Sequence, residues 1–344
     1  MSQKSLKYKH REVRLRKPHT DPEFLSKTVL VENPWDYVDL WLKREDHSDA
    51  RFYWEQAKGF FEAAEVLPTA SAPLPAYYCL LNGVKALLSV KGHSYQARHG
   101  VSGDTVKEKR SLRGETVTFQ AQGVLPTLSS HLGESTSKEE HNLYTLLYNL
   151  PWIHRAFVLT YTSAPELFIP IKNPRFVTES GSSNAWFCAD VEDKWASGHT
   201  TKKLPQDYER DDDVGDRYVV RKRSTFTWEY GAANEDDNVA RLQDYHQEIR
   251  TQVFYIDGPS RAWYLKRNDQ VDGVIERSSM TLTFAAMHRL SEMSRYDPLL
   301  LARHLDRHHN WLLTEFVNVA LRQLIDELAA EITGRDFMLP GITT

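Results

Sequence analysis

Apolar residues recur at helical spacing in three successive stretches near the start of the chain and again near its end. The first stretch opens at Asn33-Pro34, a helix-capping residue followed by a proline suited to the first helical position, and continues with Trp35, Val38 and Leu42. A second helix is predicted over roughly 48–67, carrying Phe52, Gln56, Phe60 and Ala63-Ala64. A third spans about 74–90, with Tyr77, Leu80-Leu81, Val84 and Leu87-Leu88 on its inner face. Short linkers rich in proline and serine join them, as at the start of a helical bundle.

The pattern changes after Gly92. Gly100, Gly103 and Gly114 punctuate short segments, and 116–120 alternates like a strand. Helical spacing returns over 138–161, broken by Pro151, before β signals dominate 166–267. Leu167 to Ile171, Trp186 to Val191, Arg217 to Tyr230 and Gln252 to Ile256 are rich in aromatic and β-branched residues. Tyr218, Val220, Phe226, Trp228 and Tyr230 share one parity, which predicts a half-buried strand. The polar segments 209–213 and 234–238 read as exposed loops. Helices resume at Ser278, again after Asp297-Pro298, and most clearly over 313–332.

The predicted fold is therefore α+β: a helical bundle built from N- and C-terminal helices, with a central β-rich insertion. Its expected parts are a basic N-terminal arm (1–32), a first helical part (33–163), the β-rich insertion (164–275) and a second helical part completing the bundle (276–344).

Composition narrows the function classes. The formal net charge of the 344 residues is −4, so any nucleic-acid surface has to be local. Cys79 and Cys188 lie far apart in apolar surroundings and read as buried small hydrophobes. The basic start of the chain lacks an apolar core, and no long apolar run exists. The expectation is a cytoplasmic protein without a membrane contact. Nucleotide-binding glycine loops, a serine-hydrolase elbow and kinase signatures are absent, and no cofactor is expected.

The densest chemistry lies between the last two apolar helical stretches, where Arg303, His304, Arg307, His308 and His309 crowd together. An arginine that stabilises phosphate charge and a histidine that moves a proton suffice for metal-independent RNA cleavage. Arg303 through His308 resembles the Arg-x4–6-His signature of HEPN-type helical domains, which implies Arg303 and His308 (or, in second place, His309) as the catalytic pair and His304 as an orienting group. Helical phase opposes this. At about 100° per residue Arg303 lies about 140° around from His308 on a straight helix. Such a site needs a helix break or a second copy; otherwise the run is a structural or interfacial cluster. His304 and His308 are also spaced to share a metal, but a third ligand is not evident.

Two further groupings stand out. Arg98-His99-Gly100 reads either as a tight turn presenting an imidazole or as a helix stop. Arg221, Lys222 and Arg223 beside Phe226 and Trp228, together with Arg307, form the candidate nucleic-acid contacts. A solvated strand face over an aromatic core explains the strand residues equally well.

Several segments taken together resemble the YaaC-like family of bacterial proteins. They are Phe52-Tyr53-Trp54-Glu55-Gln56-Ala57, the helix from Tyr77-Tyr78 to Leu88 with Asn82 and Lys85-Ala86, and His99-Gly100. Leu150-Pro151-Trp152-Ile153-His154-Arg155 and Ser294-Arg295-Tyr296-Asp297-Pro298 complete the set. The resemblance implies a mainly helical cytoplasmic protein without an established catalytic mechanism. The Arg/His run departs from its pattern, as in a specialised effector (for instance in a defence system) or a variant surface. The leading expectation is an interaction, regulatory or effector subunit, with a protein partner or second copy. In that reading the helices are the scaffold and the β-rich part contacts the partner or RNA. The alternative is the ribonuclease.

Overall fold

The computed structural model describes residues 3–106, 111–179, 181–192, 195–197, 202–212, 217–231, 234–258, 262–267 and 271–340. Its α-helices, among these residues and in chain order, are α1 (Trp35–Arg44), α2 (Ser48–Glu65), α3 (Pro73–Val90), α4 (Val124–His131) and α5 (Leu143–Tyr148). They continue with α6 (His154–Thr160), α7 (Glu235–Arg250), α8 (Ser279–Tyr296), α9 (Pro298–Leu305) and α10 (Asn310–Thr333). Local capping fixes several starts. The Ser278 side chain accepts from the Thr281 amide at α8, and Asp297 accepts from the Leu300 amide at α9, where Pro298 needs no partner for a missing N–H.

These elements fall into two compact units, one formed by 30–166 and 273–333 and the other by 1–29, 167–272 and 334–344. In the first, α3 packs against α2, α8 and α10. Gly83 permits the close approach of α3 and α10, since a Cβ there would lie 2.8 Å from Leu328 Cδ1. A three-stranded antiparallel sheet, Val101–Thr105, Glu115–Phe119 and Glu139–Asn142, leans on α8. The Glu134 carboxylate holds the start of that helix, accepting from the Ser278 amide at 2.5 Å and the Thr281 hydroxyl at 2.8 Å.

The second unit is built on an eight-stranded antiparallel sheet. Its longest strands, Phe168–Glu179 and Asn184–Val191, form a hairpin with a register shift between Lys172 and Arg175. Helix α7 packs Leu242, Tyr245 and Ile249 into the same apolar core as Phe176, Phe187 and Val253.

The expected helical bundle with a central β insertion is corrected, although the chain is α+β. The chain ends do not complete a bundle. Gln3–Ser5 pairs with Glu179 to Val177 as a strand of the large sheet, and Leu6, Val13 and Leu15 are buried in its core. Phe337 near the other end is buried too, and its carbonyl accepts from the buried Lys17 ammonium at 2.9 Å. The helical unit also contains its own sheet where continuous helix was expected from 138, because Glu139–Asn142 pairs with Glu115–Phe119.

Three local expectations change as well. The first is the exposed loop at 209–213: Tyr208–Arg210 pairs as a strand with Val220 to Lys222, Asp211 is buried, and Asp213 lies outside the described residues. The strand expected over 217–230 is split into Val219–Lys222 and Phe226–Thr227. The expected loop at 234–238 instead holds the first turn of α7, where Glu235, Asp236 and Asp237 suit the positive end of the helix dipole. Both cysteines are free and buried, and burial pushes the Cys188 thiol up to about 12.

Candidate functional site

Glu115, Val117 and Phe119 point inward from the middle strand of the small sheet, and the first of them is a carboxylate with no solvent exposure. An isolated charge there would be prohibitively costly, so its partners define the site. His304 Nε2 donates to Glu115 Oε1 at 2.8 Å from α9. From α8 the Arg289 guanidinium donates to Oε2 at 2.8 Å. The Thr105 hydroxyl adds a bond to Oε2 at 2.9 Å. Burial pushes the Glu115 carboxyl up, but the bonds from His304 and Arg289 and the Arg289 charge outweigh it and hold it below the ordinary carboxylate value.

The network extends in two directions. Toward the α9–α10 turn, His304 Nδ1 lies 3.2 Å from His309 Nε2. A neutral His304 that donates from Nε2 must accept at Nδ1, so His309 then donates from Nε2 and keeps a bare Nδ1. That nitrogen is buried without a partner. Burial, then His304, His308 and Arg307, lower the His309 imidazole to about 4. In the other direction Arg289 reaches Glu292 at 3.1 Å, and Glu292 also accepts from the Gly103 amide at 3.3 Å. Burial raises the Glu292 carboxyl despite the Arg289 bond.

Beyond Glu292 lies a group of rings. Tyr77 sits 4.9 Å from the His288 ring and 5.3 Å from the His99 ring, and the two imidazoles are 5.6 Å apart. Burial, then His99 and Arg289, push His288 down to about 3. His99 is lowered by its own burial and by Lys85 and Arg295. Its turn is locked from behind. The Arg98 and His99 carbonyls accept from the Val124 and Leu125 amides at the start of α4, with Gly100 and Gly123 at positive φ. The His99 turn thus caps a neighbouring helix as it holds an imidazole against Tyr77.

The Arg/His run is divided by this arrangement. Helix α9 ends at Leu305 and α10 begins at Asn310, so the helix is interrupted inside the run. His304 and His309 turn inward, whereas Arg303 and His308 are exposed and Arg307 is half-buried. The His308 ring lies 4.9 Å from His309 and 5.5 Å from Tyr161. The predicted orienting histidine therefore contacts His309 rather than His308.

In the β-rich unit the candidate nucleic-acid residues have acidic partners. Arg221 bonds Glu209 at 2.8 Å, Arg223 reaches the same carboxylate at 3.1 Å, and the buried Lys222 ammonium meets Asp207 at 2.8 Å. Among the described residues no group of three or more metal-ligating side chains assembles, and no helix is long and apolar enough to cross a membrane.

Sequence reasoning passed over Glu115, Arg289 and Glu292. One signal for Glu115 was available: extending the 116–120 alternation back by one residue puts a carboxylate on the inward parity of Val117 and Phe119. Nothing comparable marks Arg289, because α8 is buried on nearly every side.

No curated protein and no solved structure matches the chain. The family model described as YaaC-like Protein matches residues 14–332, which covers most of both units and every segment of the network above. The chain belongs to the YaaC-like family.

Proposed function

We propose that the chain acts as an interaction or regulatory subunit of a protein complex, with its helical unit supplying the contact surface. The observation that carries this reading is a group of exposed apolar side chains at one end of that unit. Val66 is 81% and Leu67 42% exposed just after α2, while Tyr296 is 71% and Leu299 75% exposed where α8 gives way to α9. The Ser294 hydroxyl donates to the Ala70 carbonyl at 3.0 Å and ties these two segments together. Apolar side chains gathered on one surface favour a partner. The Glu115 network supports the same reading, since it fixes α8 and α9 under that surface.

Leu299→Glu combined with Val66→Asp is expected to leave the melting temperature nearly unchanged and to abolish association. Sedimentation of the chain, alone and as the complex isolated at native expression level, measures this. A wild-type chain that sediments only as a 39.8 kDa species in both settings contradicts the proposal.

A second reading is favoured by one feature, the helix break that leaves both Arg303 and His308 exposed. In it the chain is a metal-independent endoribonuclease, with Arg303 stabilising phosphate charge and His308 transferring the proton. His304, paired with Glu115, would act only through His309. RNA cleavage that persists in EDTA and falls at least about 100-fold in both Arg303→Ala and His308→Ala is the expected result. Intact RNA, with the native partners present, contradicts it.

A further inference from the structure

We propose that His93 and His131 bind one divalent transition-metal ion, with Glu331 behind them as the carboxylate that orients His131. The pair sits where the C-terminal ends of two helices meet. Helix α3 ends at Val90, and Gly92 takes a positive φ. The Gly92 and His93 amides then donate back to the Ser89 and Leu88 carbonyls at 3.2 and 2.9 Å. Helix α4 ends at His131 in the same way. Gly133 has a positive φ, and the Gly133 and Glu134 amides donate to the Ser130 and Ser129 carbonyls at 3.1 and 2.8 Å. Two locked helix ends thus fix the backbone from which each imidazole projects.

His93 Nε2 lies 3.1 Å from His131 Nδ1, with the ring planes 69° apart. On its other side His131 Nε2 lies 3.2 Å from Glu331 Oε1, contributed by α10. The Glu331 side chain is 0% exposed and that of His131 6%, so water does not compete for this bond. With Glu331 accepting, His131 keeps its proton on Nε2 and turns the Nδ1 lone pair toward His93. A carboxylate behind an imidazole is the arrangement that orients metal-ligating histidines.

The two facing nitrogens share a single proton. A metal ion takes its place, and the proton moves to Nδ1 of the His93 ring. Metal–nitrogen bonds of about 2.0–2.1 Å at a tetrahedral angle set two ligand nitrogens about 3.3 Å apart, so the pair needs only a tilt of its rings. Burial, then His131 and Lys91, lower the His93 imidazole, which keeps it in the neutral form that ligates. The partial negative charge at two helix ends also favours a cation here. Imidazole ligands select zinc, copper or nickel over magnesium. Among the described residues no third side-chain ligand joins the pair, which leaves the other positions to water.

The full-length chain, first stripped with a chelator, is titrated calorimetrically with zinc chloride, and with magnesium chloride as control. One saturable zinc site is expected, and zinc at saturation should raise the melting temperature. His93→Gln and, separately, Glu331→Gln should each weaken the site about tenfold or more. His93 is half-buried in a loop, so His93→Gln should keep the wild-type melting temperature in chelator. In the wild type, zinc should shift the NMR signals of the His93 and His131 rings before those of other histidines. No saturable zinc binding overturns the proposal. So does binding that His93→Gln retains in full, that magnesium reproduces, or that shifts only other histidines, since each places the ion elsewhere.

Discussion

Replacing Glu115 by alanine is expected to destabilise the helical unit by about 3–5 kcal/mol, the range for removing one partner of a buried ion pair. The size follows from what is left behind. Arg289 keeps only Glu292 and the Thr105 hydroxyl, and His304 loses the acceptor for its Nε2 proton. All three side chains are nearly inaccessible to water, so solvent cannot take the carboxylate's place. Chemical denaturation of wild type and variant measures the loss. A change below about 1 kcal/mol, the scale of an exposed pair, would show that the network does not hold the unit together.

The second large effect concerns pH. His288 and His309 are pushed down to about 3 and about 4 in the folded chain, mainly by burial, against an ordinary value of 6.5. Between these values the unfolded chain holds protons that the folded chain refuses. Their contribution to stability is therefore complete above pH 6.5 and is lost as pH falls through the folded values. Each imidazole contributes a slope of about 1.4 kcal/mol per pH unit within that window. Glu134 and Glu292 act in the opposite sense, because their carboxyls are raised by burial. Their stabilisation is present below 4.5 and is lost as pH rises through their folded values. The His309 share is isolated by comparison with His309→Gln, whose stability should fall less steeply between pH 6 and 4.5 by about 1.4 kcal/mol per unit. Parallel curves for the two proteins would mean that His309 is charged in the fold.

Much of the helical unit was legible from periodicity and punctuation. Asn33-Pro34, Ser278 and Asp297-Pro298 mark helix starts because their chemistry is local, and the structure places α1, α8 and α9 just after them. The topology was less legible. Leu6, Val13 and Leu15 sit among cations in a segment that reads as a solvated arm, and only pairing with Phe168–Glu179 and its neighbours buries them. Helix α7 hid behind its acidic first turn, since Leu242, Tyr245 and Ile249 are sparse apolar marks in a polar stretch.

The candidate site shows the same divide. The run from Arg303 to His309 was conspicuous as composition. Which histidines turn inward depends on the end of α9 at Leu305 and on a carboxylate far earlier in the chain. His99, by contrast, stood beside a glycine, and that glycine does adopt the positive φ that a tight turn requires. A carboxylate one residue outside an alternating segment, such as Glu115, is easily assigned to the loop instead of the core.

Glu115 and His304, both buried, act as one joint beneath the proposed contact surface. A double-mutant cycle with Glu115→Ala and His304→Ala, read by chemical denaturation, tests this most directly. The predicted result is strong non-additivity, a coupling of about 2–3 kcal/mol, because either substitution alone already breaks the shared bond. Additive losses within about 0.5 kcal/mol would contradict the account, because the two residues would then be stabilised independently.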